Sequence, residues 1–154
     1  MTQPLEIGAK APDFSIETTE GKTTLSAYKG KHLVLYFYPK DDTPGCTNEA
    51  RDFSDLSSQF EAAGAKILGV SRDPLAKHQK FIAKHDLQIE LASDEDGALC
   101  EAYGAWVEKN MYGRTYMGIA RSTFLIDPKG RISRIWSKVR VKGHAQDVLE
   151  SLNN

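Results

Sequence analysis

The sequence predicts an α/β fold with a central mixed β-sheet flanked by helices and an N-terminal β-hairpin. Two observations carry this prediction. Continuous apolar runs rich in β-branched and aromatic residues alternate with helical patterns, which is typical of parallel strands joined by helices. In the final third, two strand-like runs follow each other across a short turn, which indicates an antiparallel addition to the sheet. The 154 residues suit one domain, expected to span 1–154.

Six segments predict strands. Buried strands are expected where the apolar run is continuous, and a hairpin where a turn signal separates two short runs. The segments are a hairpin in 14–28 turning at Glu20-Gly21, core strands at 32–38 and 65–71, a short strand at 91–93, and a final pair at 122–127 and 131–137 joined by DPKG.

Four segments predict helices from their capping signals and apolar spacing. Thr43 as N-cap and Pro44 begin an amphipathic helix that should end near Gly64. The other three are a helix with Asp73 as N-cap and Pro74 first, running to about His85, a helix from the capping box SDED at Ser93 to about Tyr103, and a helix at 144–152.

Composition excludes several classes of protein. Hydrophobic residues make up 40% and charged residues 27%, and the formal charge is −1, which provides no global basic field for nucleic acid. The basic run 131–142 is interpreted as solvent-facing charges near a sheet edge. No apolar run approaches the roughly 20 residues of a membrane span, and the N-terminus lacks a signal-peptide pattern. We expect no membrane or nucleic-acid partner, and a cytoplasmic location.

The sequence contains two cysteines, Cys46 and Cys100. They are too few for a disulfide scaffold and too far apart for a CxxC motif. A free cysteine is most often a small buried hydrophobe. Cys46, however, occupies the third position of the helix that Pro44 begins, directly after a buried strand. An anion is favoured among the free N–H groups of a helix start, and the thiolate is the reactive form of cysteine. Position alone therefore leaves both a nucleophilic and an inert role open.

The residues around Cys46 resemble a known family. PKDDTPGC has the pattern Pro-x-x-x-Thr-x-x-Cys, which resembles the peroxidatic-cysteine signature of the peroxiredoxins. The longer stretch YFYPKDDTPGCTNEARDF is similar to the bacterioferritin comigratory protein, or peroxiredoxin Q, group. GAKAPDFSI, ILGVSRDP and SDEDGALCEAYGAWVEKNMYGRTYMGIARSTFLID extend the likeness across nearly the whole chain. The resemblance implies a thioredoxin-like fold and a thiol peroxidase that reduces hydrogen peroxide and organic hydroperoxides.

The resemblance also implies roles for individual residues. Cys46 would attack a peroxide oxygen and become a sulfenic acid. Thr43 would orient the peroxide with its hydroxyl, and Pro39 would close the pocket against water. Arg121 would donate hydrogen bonds to the sulfur and to the leaving oxygen, and the backbone N–H groups of Gly45 and Cys46 would complete the anion site.

Which arginine acts on Cys46 is indicated only by the resemblance. From the residues alone, Arg114 and Arg121 are both interpreted as surface charges. The resemblance selects Arg121 because it directly precedes STFLID.

A second, resolving cysteine is missing from the positions where the family places one. Arg51 stands five residues after Cys46, and the stretch 81–85 contains no cysteine. Cys100 is the remaining candidate, but acidic neighbours such as Asp94 disfavour its thiolate. We therefore expect a one-cysteine mechanism with an external thiol, either glutathione with glutaredoxin or thioredoxin. Resolution by Cys100 remains the alternative.

Other functions fit the residues less well. A thiol–disulfide oxidoreductase requires CxxC, whereas position 49 is glutamate. His78 and His85 share a helix face but lie about 10 Å apart, too far to bind one metal ion. No nucleotide-binding motif is present, and neither a cofactor nor a metal is expected. A redox sensor would use the same residues and stays open. The resemblance favours a monomer.

Overall fold

The computed structural model describes residues 5–153, so the ends of the predicted domain, 1–4 and 154, lie outside the described part. The helices and strands follow each other in the order that the sequence patterns predict, with one additional hairpin. They are β1 (Ser15–Thr18), β2 (Gly21–Thr24), a 3₁₀ turn (Leu25–Tyr28), β3 (His32–Phe37), α1 (Pro44–Asp55), α2 (Ser57–Ala62), β4 (Ala65–Ser71), α3 (Leu75–His85), β5 (Glu90–Ser93), α4 (Ala98–Ala102), β6 (Trp106–Met111), β7 (Arg114–Ile119), β8 (Ser122–Ile126), β9 (Ile132–Trp136) and α5 (His144–Ser151).

Seven strands form the central sheet in the order β2-β1-β5-β4-β3-β8-β9. The strands β3, β4 and β5 are parallel, because helices connect them. β8 pairs antiparallel with β3, and β1 pairs antiparallel with both β2 and β5. The predicted mixed sheet and N-terminal hairpin are therefore confirmed. No helix in the described part is long and apolar enough to span a membrane.

The central strand β3 divides the core into two layers. Successive side chains of a strand point to opposite faces. Leu33, Leu35 and Phe37 pack into one cluster of buried residues, which includes Cys100. Val34 and Tyr36 pack into the other cluster, which includes Cys46. The two cysteines of the chain therefore lie on opposite faces of the central sheet.

The predicted helix after Cys46 is two helices in the structure. Leu56 adopts φ −97° and ψ 1°, outside the helical region, and ends α1 before α2 begins. Both halves contribute a fully buried phenylalanine, Phe53 and Phe60, whose ring centroids lie 5.8 Å apart. The apolar spacing therefore predicted the buried face correctly, but it did not predict that the helix is interrupted at Leu56.

The predicted starts of two later helices were wrong. Ser93 belongs to β5, and α4 begins only at Ala98, after a turn that ends in Gly97 at φ +78°. The capping carboxylate is that of Asp94, which accepts hydrogen bonds from the backbone N–H groups of Leu99 and Cys100. In α3, Pro74 is the N-cap, one residue later than predicted, because the Asp73 carboxylate is used elsewhere.

Sequence patterns did not predict the hairpin β6–β7. Its two strands form a separate two-stranded sheet, and most of its side chains are exposed, which weakens the apolar alternation. The turn consists of Tyr112 and Gly113, both with positive φ, at 54° and 77°. Two-residue turns of this kind usually carry Asn-Gly or Asp-Gly, so Tyr-Gly gave no clear turn signal.

Candidate active site

Cys46 lies in the first turn of α1, directly beyond the carboxyl end of β3. Pro44, Gly45 and Cys46 occupy the first three helical positions, as predicted, and Cys46 is 1% exposed. Thr43 stands at the N-cap, but its hydroxyl donates to the carbonyl of Lys40 at 2.8 Å instead of capping the helix. Thr43 is therefore the N-cap residue, as predicted, but its hydroxyl bonds within the loop before α1 and leaves the helix N–H groups without a side-chain cap.

The Arg121 side chain contacts the sulfur of Cys46. Its Nη2 donates to Sγ at 3.3 Å, and its Nη1 donates to Oε1 of Glu49 at 2.6 Å. Arg121 precedes β8, which pairs with β3, so the sheet brings it next to the start of α1. Arg114, the other candidate arginine of the sequence, is exposed on β7. The fold thus brings a cation to a sulfur 75 positions away in sequence.

Gly45 leaves room for this guanidinium. A Cβ atom at position 45 would lie 3.2 Å from Nη2 of Arg121. That separation is tighter than an ordinary van der Waals contact, so a side chain here would require the guanidinium to shift by a few tenths of an ångström. Gly45 therefore serves close approach to Arg121.

Glu49 is a site residue that sequence reasoning missed. Its carboxyl group is 1% exposed, and within the described residues its Oε2 has no hydrogen-bond partner. Burial raises the pKa of Glu49 to about 7, although the charge and hydrogen bond of Arg121 act in the opposite direction. The available signal was its spacing, since three residues along a helix place it on the face of Cys46. In the sequence, Glu49 indicated only that a CxxC motif is absent.

The raised pKa of Glu49 predicts a pH-dependent stability. Between pH 4.5 and about 7 the folded protein retains a proton that the unfolded chain releases. The contribution of Glu49 is therefore complete below pH 4.5 and lost as pH rises through 7, by up to about 3 kcal/mol. Glu49→Gln should flatten the free energy of unfolding across this window, as measured by urea denaturation. Exposed Glu61→Gln is the control, and an unchanged slope in Glu49→Gln would contradict the assignment.

A buried polar cluster holds the loop that leads into α1. Nε2 of His78 donates to the carbonyl of Ala92 at 2.9 Å, and Nδ1 lies 2.6 Å from Oδ2 of Asp41. Tyr38 donates its hydroxyl to the other Asp41 oxygen, and the Asp41 N–H donates to Asp73 at 2.8 Å. The side chains of Asp41 and His78 are fully buried. These bonds tie the loop before Cys46 to α3.

The same cluster brings together three groups of metal-ligand type. Single ligand atoms of Asp41, Asp73 and His78 all lie within 4.8 Å of one another. Each of these three side chains already takes part in the hydrogen bonds described above. The arrangement therefore acts as an internal anchor for the loop, a role of His78 that its spacing from His85 did not indicate.

The surroundings of Cys100 disfavour its thiolate, which is the reactive form of a cysteine. It is fully buried, and burial together with the Asp94 carboxylate raises its pKa well above the usual range of a thiol. The central sheet lies between Cys100 and Cys46. A disulfide requires Cα atoms within about 7 Å, which two helices on opposite faces of a sheet do not provide.

Pro39 follows the end of β3 and is exposed. Its place in the loop anchored by Asp41 is compatible with a cover over the site, but that role stays a prediction.

Comparison with known proteins identifies the family of this chain. Residues 7–135 match the model of the AhpC/TSA family. The peroxiredoxin Bcp of Bacillus subtilis is 50% identical over 151 residues, covering 97% of this chain and 96% of the relative. The solved peroxiredoxin Q of Xanthomonas campestris is 51% identical, with a TM-score of 0.89 and coverage of 97% and 95%.

Further solved structures come from the same Xanthomonas species. A bacterioferritin comigratory protein, solved in work on its alkyl peroxide reduction activity, has 48% identity and a TM-score of 0.90, with coverage of 96% and 98%. Peroxiredoxin Q has also been solved as variants of two cysteines 36 positions apart, each with a TM-score of 0.90, 48% and 47% identity, and coverage of 97% and 98%.

These relatives confirm the resemblance and the thioredoxin-like fold that it implied. The likeness extends over nearly the whole chain and includes the segment around Cys46. The chain belongs to the AhpC/TSA family, and it is a thiol peroxidase of the peroxiredoxin Bcp, or peroxiredoxin Q, type.

Proposed function

We propose that this enzyme reduces hydrogen peroxide and organic hydroperoxides through Cys46, by a one-cysteine mechanism with an external thiol. The observation that carries the proposal is the guanidinium of Arg121, which bridges the sulfur of Cys46 and the carboxyl group of Glu49. A fixed cation beside the sulfur stabilises the negative charge that develops on the leaving oxygen of the peroxide. The alkyl peroxide activity named for the Xanthomonas protein supports an organic substrate.

The oxidative half-reaction uses the Cys46 sulfur as nucleophile. Its electron pair forms an S–O bond while the O–O bond breaks, and the leaving oxygen departs as hydroxide or alkoxide. That oxygen then takes a proton and leaves as water or alcohol, and Cys46 becomes a sulfenic acid. Arg121 donates to the leaving oxygen, and the backbone N–H groups of Gly45 and Cys46 complete the anion site.

Thr43 and Pro39 would position the peroxide. The hydroxyl proton of Thr43 is engaged with Lys40, so its oxygen lone pairs remain to accept a hydrogen bond from the peroxide. Accepting that bond would turn one oxygen of the substrate toward Sγ of Cys46. Pro39 would exclude water from the sulfenic acid.

The reductive half-reaction is assigned to an external thiol because the chain offers no suitable second cysteine. Arg51 is exposed at the position five residues after Cys46. Counting the 36 positions that separate the two Xanthomonas cysteines forward from Cys46 reaches Ile82. Cys100 is buried behind the sheet with a raised pKa. All three observations support reduction by glutathione with glutaredoxin or by thioredoxin.

The proposed reductive half-reaction consists of two successive attacks by thiols, which supply both electrons. A reductant thiol attacks Cys46 sulfenic acid, which releases water and forms a mixed disulfide. A second thiol attacks the reductant sulfur of that disulfide, which returns Cys46 as a thiol and leaves the reductant oxidised. A peroxide sensor would use the same residues, but it would consume about one peroxide per chain, whereas an enzyme turns over with reductant.

The role of Cys100 separates the two cysteine mechanisms. We expect Cys100→Ser to retain turnover with an external thiol within about twofold, because a buried thiol of raised pKa is a poor nucleophile. Mass spectrometry of the peroxide-treated wild-type protein should find oxygen added to Cys46. An intrachain Cys46–Cys100 disulfide, together with a severe loss in Cys100→Ser, would make Cys100 the resolving cysteine.

Two remaining expectations from the sequence stay predictions. We propose a cytoplasmic location, where thiol reductants are plentiful, and a monomeric enzyme. Sedimentation of the purified protein would test the second.

A further inference from the structure

The hairpin β6–β7 concentrates exposed apolar side chains beside the active site. Among the described residues, five large hydrophobic side chains are exposed, and four of them belong to this hairpin. They are Met111 at 55%, Tyr112 at 97%, Tyr116 at 43% and Met117 at 50%. Exposed apolar groups gathered on one element of a protein mark an interaction surface more often than scattered ones do.

The base of the hairpin adjoins the catalytic arginine. β7 ends at Ile119, two residues before Arg121, and the N–H of Ala120 donates to the carbonyl of Ala105 at 2.7 Å. Lys109 lies directly across from Tyr116 in the register of the hairpin. Partial burial and the nearby charge of Arg121 lower the pKa of Lys109, in agreement with this closeness.

A second, basic segment flanks the same arginine. The N–H of Val139 donates to the carbonyl of Arg121 at 3.0 Å, so the segment 137–143 runs beside the site. This segment carries Lys138, Arg140 and Lys142, all exposed, and no acidic residue. Arg121 is therefore flanked both by a hairpin with exposed apolar side chains and by a basic segment.

The extent of the surface formed by the hairpin and the basic segment fits a protein reductant better than a small thiol. Each strand of the hairpin has six residues, which corresponds to about 20 Å from base to tip. A tripeptide thiol at Cys46 would not reach Tyr112 across that length. Protein interfaces, including transient redox encounters, extend over surfaces of this scale.

We propose that the hairpin β6–β7 and the segment 137–143 form the docking surface for a protein dithiol reductant, which has an acidic, apolar face around its reactive cysteine. The inference rests on the proposed function, since the docked thiol is the one that attacks Cys46 sulfenic acid and releases water. Apolar contacts from the hairpin hold the partner, and the cations of the basic segment attract its acidic groups. The proposal selects a protein reductant over glutathione.

Variant turnover with two reductants provides the first test. The apolar variant is Tyr112→Ser/Tyr116→Ser, and the charge variant is Lys138→Glu/Arg140→Glu. With a thioredoxin of net negative charge as reductant, the KM for thioredoxin should be at least about fivefold higher in the apolar variant than in wild type. The charge variant should lower kcat/KM at least about tenfold in low salt and weaken its salt dependence. Turnover with dithiothreitol should stay within about twofold of wild type.

The matched controls are the same kinds of substitution, apolar to serine and basic to acidic, at positions at the end of the sheet far from Arg121. Ile7→Ser removes an exposed apolar side chain near β9, and Lys129→Glu reverses an exposed charge at the opposite end of β8 from Arg121. Both should behave as wild type with thioredoxin. Docking variants that match these controls would overturn the proposal.

Binding without turnover separates this inference from the proposed function. Thioredoxin should bind the Cys46→Ser protein in a nuclear magnetic resonance titration, with Kd weakened at least about fivefold by the apolar variant. An equal Kd for thioredoxin with and without the substitutions of the apolar variant would overturn the proposed docking surface, whatever the peroxide kinetics show. A wild-type dimer that the apolar variant dissociates would also overturn it, because the hairpin would then bind a second copy. Failure of wild-type turnover with dithiothreitol would instead contradict the proposed function.

Discussion

Replacing Cys46 with serine is expected to lower peroxide consumption at least about a thousandfold. The sulfur is the proposed nucleophile, and a serine hydroxyl at the same place would not ionise near neutral pH. The change is nearly isosteric within the buried first turn of α1, so the fold should persist. Peroxide loss with dithiothreitol as reductant measures the activity, and urea denaturation measures the stability.

Cys100→Ser is the matched control for this experiment. It makes the same atomic change in the other buried cysteine of the chain, on the opposite face of the central sheet. A Cys46→Ser protein that still consumed peroxide at more than about a tenth of the wild-type rate would end the assignment of Cys46 as nucleophile.

Replacing Arg121 with glutamine should slow the oxidation of Cys46 by about a hundredfold to a thousandfold. The guanidinium donates to the sulfur at 3.3 Å, and its charge is what opposes the charge developing on the leaving oxygen. Glutamine retains hydrogen-bond donors but has no charge and a shorter reach. Single-turnover stopped-flow measurements over a range of peroxide concentrations would provide the rate constant without any contribution from the reductant.

The matched control for Arg121 is Arg114→Gln, assayed in the same single-turnover reaction. Arg114 is exposed on β7, within the same hairpin region, and does not act on Cys46 in the proposed mechanism. We expect it to leave the rate of Cys46 oxidation unchanged. A decrease of less than about fivefold in Arg121→Gln, or an equal decrease in Arg114→Gln, would contradict the proposed role of Arg121.

The sequence predicted most of the sheet because strand signals are local. Continuous apolar runs at 32–38 and 65–71 became the parallel strands β3 and β4, and DPKG became the turn between β8 and β9. Helix starts were harder to predict. At Asp73 a residue that favours capping bonds to the distant backbone of Asp41 instead, and propensity does not contain that information.

Part of the candidate site could also be predicted from the sequence. Pro44 and the apolar spacing after it located Cys46 in the first turn of a helix. Selection of Arg121 over Arg114 required the family resemblance, since both are single basic residues in segments of similar polarity. Glu49 was missed, because a glutamate on an amphipathic helix is usually solvent-exposed.

The sequence by itself determined the order of the strands and helices around the central sheet, the mixed sheet and the place of Cys46 at a helix start, but not the hairpin β6–β7 or the break at Leu56. These features depend on periodicity and terminus signals within a few neighbouring residues. Only the tertiary structure decided that Arg121 and Glu49 meet at Cys46, that Asp41 and His78 anchor the loop, and that the sheet separates the two cysteines. The physical reason is that strand pairing and burial, which no local pattern encodes, decide which distant side chains share one face.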